Sequence, residues 1–247
     1  MTRQRVPPHA YFMVSAVFHY LGPALAVLLF ARIDVLGVAW LRIATAALVF
    51  AMWRRPWRLW RRLDRPTRLL LTGWAAVLAV MNSIFYLAID RLPLGTVAAI
   101  EFLPVIVLAA LAARTSRTIA ALVAAAGGVY LLTDVRLVAE PLGITFAVAN
   151  AGLFTLYIVL GHRVARSREV AGIDGLALSM LIAAVIALPI GIGQAVPAFT
   201  DPVALAEASG VGIIGVVLVV AGVALHQERP PRPPRTRTGS VTVAGES

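Results

Sequence analysis

WLRIATAALVFAMWRRPWRLWRRLDRPTRLLLTGWAAVLAVMNSIFYLAI, residues 40–89, reads as two apolar stretches joined by a link rich in arginine and tryptophan. With its N-terminal neighbours the first stretch covers 34–53 and the second covers 69–89. Each has about the 20 residues that a helix needs to cross a hydrocarbon core. Arg42 lies inside the first. A charge at the centre of a membrane helix costs roughly 2.5–3.5 kcal/mol on insertion scales, so it is kept where it is paired or faces a cavity. Further along, Glu101 is the only acid inside an apolar stretch.

The rest of the chain agrees with a membrane reading. Of 247 residues, 60% are hydrophobic and 14% charged, and the mean hydropathy is +0.86. A soluble domain has about 45–50% apolar and about 25% charged residues. The formal net charge of +10 would suit a nucleic-acid partner, but the cations lie between apolar segments and not on one soluble face, so no nucleic acid is expected. All 22 cations are arginine, a usage associated with GC-rich bacterial genomes. With no cysteine there are no disulfides, thiolate metal sites or cysteine nucleophiles. His9, His19, His162 and His226 are scattered, and no H-E-x-x-H, P-loop or G-x-S-x-G is present. Neither an enzyme, nor a cofactor, nor a metal site is expected.

Hydropathy predicts eight helices, at 11–31, 34–53, 69–89, 94–113, 118–133, 142–162, 175–196 and 209–226, giving an all-α integral membrane protein. The basic N-terminus leads into a run longer than a signal-peptide core, so the first helix is expected to be retained. If all eight cross, 18 arginines fall on one side: two before the first helix, seven in 54–68, two in 114–117, three in 163–174 and four after 226. Arg32, Arg91 and Arg136 fall on the other. Positive-inside bias then places both termini in the cytoplasm of a bacterial cell with a multi-pass inner-membrane protein. The arginines of 54–68 with Trp53, Trp57 and Trp60 form a topology anchor, the simpler reading, or a site for anionic headgroups. The tail 227–247, polar and proline-rich, reads as disordered and cytoplasmic.

An internal repeat is visible. TIAALVAAAGGVYLLTD (118–134) and GVVLVVAGVALHQ (215–227) end alike, and Asn150, Phe154 and Tyr157 decorate the sixth span much as Ser15, His19 and Tyr20 decorate the first. Carriers built from inverted repeats bind solute near the bilayer midplane between the halves. After a tail at 1–10, the first repeat covers 11–134 with five helices and the second covers 142–226 with three.

NSIFYLAIDRLPLGTVAAIEFLP (82–104), LRIATAALV (41–49), PWRLW (56–60) and YIVLGHR (157–163) carry a more specific likeness. Over about residues 10–205 the chain resembles the EamA-type transporters of the drug/metabolite transporter superfamily, in particular the threonine/homoserine exporter group, which share N-x-x-F-Y-x-A-I…P-L-G…E-F. The resemblance implies a ten-helix inverted-repeat carrier that exports amino acids or related metabolites. This chain departs from the pattern after DPVALAEA (201–208), where two helices of the second repeat are missing. Export of a threonine- or homoserine-like solute, with protons as a coupling ion, is the expected function. The alternative is a non-transporting remnant, or one that completes its cavity as a homodimer.

The candidate translocation residues are Glu101, Arg42, Asn82, Tyr86, His19, Asn150 and Tyr157. Arg42 and Glu101 either form an ion pair that locks two helices, or contact the charged ends of an amino acid, with Glu101 exchanging a proton. Asn82 and Tyr86, four apart, share a helix face and either line a cavity or bridge helices. Ser15, His19 and Pro23 form a stripe on the first span, and Asn150 and Tyr157 are its second-half counterpart. Pro104 frees a backbone carbonyl and bends its helix at cavity depth. Gly127 and Gly128 allow close helix packing.

Overall fold

The structure is a computed structural model that describes residues 22–112, 127, 140–167, 170, 172–203, 205–207, 210 and 213. Among them every regular element is helical. We number them α1 (Gly22–Ala31), α2 (Val35–Arg54), α3 (Trp57–Arg62), α4 (Arg65–Ile89), α5 (Leu94–Ala112), α6 (Pro141–Arg166) and α7 (Gly172–Thr200). The last turn of α1, Leu28–Ala31, is a 3-10 helix. Four of these, α2, α4, α6 and the Ile173–Thr200 part of α7, are long and apolar enough to span a bilayer. The chain is an all-helical, multi-pass membrane protein. Apart from Gly127, Gly210 and Ile213, the spans expected at 118–133 and 209–226 lie outside the described residues, as do Ser15, His19, Tyr20, Gly128 and the tail.

Local chemistry sets the helix starts. Asp64 caps α4 by accepting from the Thr67 backbone N–H at 2.9 Å, with Pro66 in the first turn. Glu140 caps α6 by accepting from the Gly143 backbone N–H, with Pro141 at the start. Both arrangements supply an acceptor to otherwise orphaned N–H groups and put proline where its missing N–H costs nothing. At the end of α2, Arg55 takes the left-handed conformation, φ 50°. Pro56 follows, and the chain turns into α3, a short amphipathic helix within the stretch read as the link.

In lipid, helices associate through close packing and hydrogen bonds, because the surrounding tails are as apolar as leucine. α2 runs antiparallel to α7, tied at one end by Arg32–Asp201 (3.1 Å) and at the other by Arg54–Asp174 (2.6 Å). Between these ties the backbones approach through glycine. A Cβ on Gly37 would lie 2.6 Å from the Gln194 carbonyl, and one on Gly191 would lie 2.2 Å from the Trp40 Cβ. The Trp40 indole donates to the Ala184 carbonyl at 3.0 Å. α4 runs antiparallel to α6 in the same manner. Trp74 donates to the Tyr157 carbonyl at 3.1 Å and stacks on the Tyr157 ring, centroids 5.3 Å apart. Arg91–Glu140 (3.2 Å) closes the far end.

Two ends result. One gathers Ile33, Tyr86, Leu92, Ala147 and Ala198 into an apolar cluster, and the other gathers Leu63, Trp74, Val164 and Leu178. An alanine-rich middle joins α2, α4 and α7. Large apolar side chains such as Leu48, Val80, Leu103, Val148 and Val185 face outward, as a protein solvated by hydrocarbon requires.

Candidate functional site

Arg42 projects from the middle of α2 toward α4. Its guanidinium donates to the Tyr86 hydroxyl at 3.1 Å and lies 5.9 Å from the centre of the Tyr86 ring. Tyr86 is fully buried and meets Phe30 of α1 edge-on at 6.1 Å. A Cβ at Gly22 would stand 3.3 Å from the Arg42 Nη2, so the start of α1 closes over the cation. One turn from Tyr86 on the same face of α4, Asn82 donates to the Ala39 carbonyl at 3.1 Å. Asn82 thus acts as a bridge between α2 and α4.

On the neighbouring helices the acid has a different partner. Glu101 on α5 is 4% exposed and Asn150 on α6 is 0% exposed. The Asn150 Nδ2 donates to the Glu101 Oε1 at 3.2 Å. The Asn150 Oδ1 is buried with no hydrogen-bond partner. Leaving a buried acceptor unmade costs about 1–3 kcal/mol, and such an atom in a native fold asks for an explanation. Beside a carboxylate, an unmet acceptor fits a ligand that brings N–H or O–H donors, such as an ammonium or a hydroxyl.

Of the two readings of Arg42 and Glu101, the direct ion pair is not the arrangement seen among the described residues: Arg42 donates to Tyr86, and Glu101 accepts from Asn150. The two pairs still belong to one end of the bundle. Tyr86, Val97 and Ala147 pack in a single cluster, with Glu101 four residues beyond Val97 and Asn150 three beyond Ala147. Arg42 spends one of its five donors on Tyr86, a geometry that leaves capacity for a carboxylate.

Tyr157 stands apart. Its ring packs on Trp74, which lies twelve residues, or about 18 Å of helix rise, from Tyr86 along α4. Its place is in the packing of α4 on α6. His19 lies outside the described residues, and Pro104 sits inside α5. The indole donors of Trp40 and Trp74, which cross between helices, were not singled out in the sequence. Their only signal there was an aromatic facing small residues.

Among the described residues no group of three or more histidine or acidic side chains could hold a metal ion. No family model matches the chain, and no solved structure matches it. Over 178 residues the chain is 33% identical to the threonine/homoserine exporter RhtA of Escherichia coli strain K12. It is 33% identical over the same length to the RhtA of Salmonella typhimurium strain LT2. The match takes in 70% of this chain and 58% of each relative. The chain therefore spans a little over half the length of the curated relatives it matches, and the likeness agrees with a multi-pass helical membrane protein.

Proposed function

We propose that this protein exports an amino acid or a closely related small metabolite, of the threonine or homoserine kind, across a bacterial inner membrane, with both termini in the cytoplasm. The observation that carries this reading is the buried Glu101–Asn150 pair with its unmet Asn150 acceptor. Polar groups at membrane depth are expensive and mark solute or ion paths. A zwitterion fits the arrangement: its ammonium toward Glu101 and the Asn150 Oδ1, its carboxylate toward Arg42 and the Tyr86 hydroxyl. A threonine hydroxyl supplies one more donor for the Asn150 oxygen. The similarity to proteins named threonine/homoserine exporters supports the substrate class.

Glu101 is the group that would couple export to protons, exchanging one as the cavity changes sides. The test is counterflow of labelled threonine and homoserine into proteoliposomes of the intact protein, followed by net flux under an imposed pH gradient. Exchange of either amino acid, accelerated by the gradient, is expected. Exchange of neither, in protein shown to be folded by its thermal transition, overturns the assignment.

A further inference from the structure

A second site lies away from the polar core, at the arginine-rich end of the bundle. Here Trp57 and Trp60 of α3, Thr72 of α4 and a strip of α7 from Leu178 to Ile186 enclose an open groove of about 330 Å³. Its walls are almost wholly apolar. The α7 strip rises about 12 Å, against about 15 Å for the hydrocarbon of one leaflet. The groove therefore has the depth of a single acyl chain entering from one face of the membrane.

The mouth of the groove is charged. Arg68 sits one helical turn before Thr72, on the same face of α4, and its guanidinium lies 5.5 Å from the centre of the Trp60 ring. It gives one long bond, 3.4 Å, to the Arg61 carbonyl. Its Nε N–H is buried and has no acceptor. Arg61 is four residues after Trp57, on the groove side of α3, and is exposed. The 54–68 segment brings seven arginines to this edge. Asp64, the acid among them, caps α4 and also lies within electrostatic reach of Arg68. A second apolar groove, about 210 Å³, lies between α4 and α7 near Val80, Ser83, Leu87 and Ile190. Neither groove has an arginine in its lining, but the α4 wall of this one starts at Ala79, about 16 Å of helix rise beyond Arg68.

We infer that the Trp57–Trp60 groove is a binding site for one anionic phospholipid, its acyl chain along α7 and its phosphate headgroup held by Arg61 and Arg68. Arginine bidentately matches phosphate. Tryptophan at this depth shields the charged contact from the hydrocarbon side. The inference is independent of which solute the protein carries.

The experiment is native mass spectrometry of the purified full chain, released from nanodiscs containing equal phosphatidylglycerol and phosphatidylcholine. The intact protein is expected to retain one phosphatidylglycerol in preference to phosphatidylcholine. The double variant Arg61→Gln, Arg68→Gln is expected to reduce that preference about 25-fold, the effect of two arginines near a membrane surface. The charge-matched double variant Arg163→Gln, Arg166→Gln, at the same end but outside the groove, is expected to keep it. Should the first variant fail to fold, Val185→Trp fills the groove without touching a charge and is expected to lose the adduct. Equal retention of the two lipids, equal loss in both double variants, or an undiminished adduct in Val185→Trp overturns the site.

Discussion

At Tyr86 a single hydroxyl oxygen meets the cation that α2 carries into the membrane. Tyr86→Phe removes that acceptor and leaves the ring, so packing against Phe30 persists. Interhelical hydrogen bonds in membranes average about 0.6 kcal/mol. We predict a loss of that order in unfolding free energy, with a far larger loss of threonine exchange because Arg42 would no longer be held toward its carboxylate. A stability loss matched by an equally small change in exchange would contradict the assignment of this pair to solute binding. Arg42, Asn82, Tyr86, Glu101 and Asn150 could be picked out in the sequence because polar side chains are costly in apolar spans. Their partners could not. Spacing along a helix fixes which residues share a face, but which face meets which neighbour depends on the rotation of each helix, and that is set by contacts such as Gly37 on Gln194 and Trp74 on Tyr157.

Helix α2 approaches α7 only as closely as its glycines allow. A Cβ at Gly37 would press on rigid backbone of α7, whereas one at Gly73 of α4 would meet nothing within 4 Å. Gly37→Ala is expected to destabilise the protein by roughly 1–3 kcal/mol, the cost of overpacking a filled interface. Gly73→Ala should be neutral or slightly stabilising, as a helical alanine is. Thermal unfolding in detergent compares the two, and equal effects would refute close contact as the basis of the α2–α7 pairing. α4 offers a pH test. Hydrogen bonds from the Thr67 side chain and backbone hold the Asp64 carboxyl below its ordinary value. Its contribution is then present above the unfolded carboxylate range and lost as pH falls through the lower folded value. Amide exchange at Thr67 should stay protected from neutral pH down to the usual carboxylate range and rise only below it. The helices at 34–53, 69–89, 94–113, 142–162 and 175–196 were legible from hydropathy alone. Their ends were not, since α4 and α7 continue several residues past the apolar window on cap chemistry and polar turns that hydropathy ignores. α3 was hidden within a link whose charges masked its helical spacing.

Across the molecule, ion pairs sit where the helices end, Arg32–Asp201 and Arg91–Glu140 at one end and Arg54–Asp174 at the other. This antiparallel arrangement agrees with the arginine alternation read from the sequence for the described helices. A chain with no cysteine makes the sidedness directly testable. Arg58→Cys should label only from the cytoplasmic face and Asp90→Cys only from the opposite one. Labelling of both from the same side would reject the orientation. The proposed solute path rests on two buried polar pairs, Arg42–Tyr86 between α2 and α4 and Glu101–Asn150 between α5 and α6. That claim is tested most directly by counterflow of labelled threonine with Glu101→Gln, in protein whose thermal transition matches the intact chain. Exchange by the intact protein and none by the variant is expected; exchange by Glu101→Gln at the intact rate would contradict a role for Glu101 in the solute path.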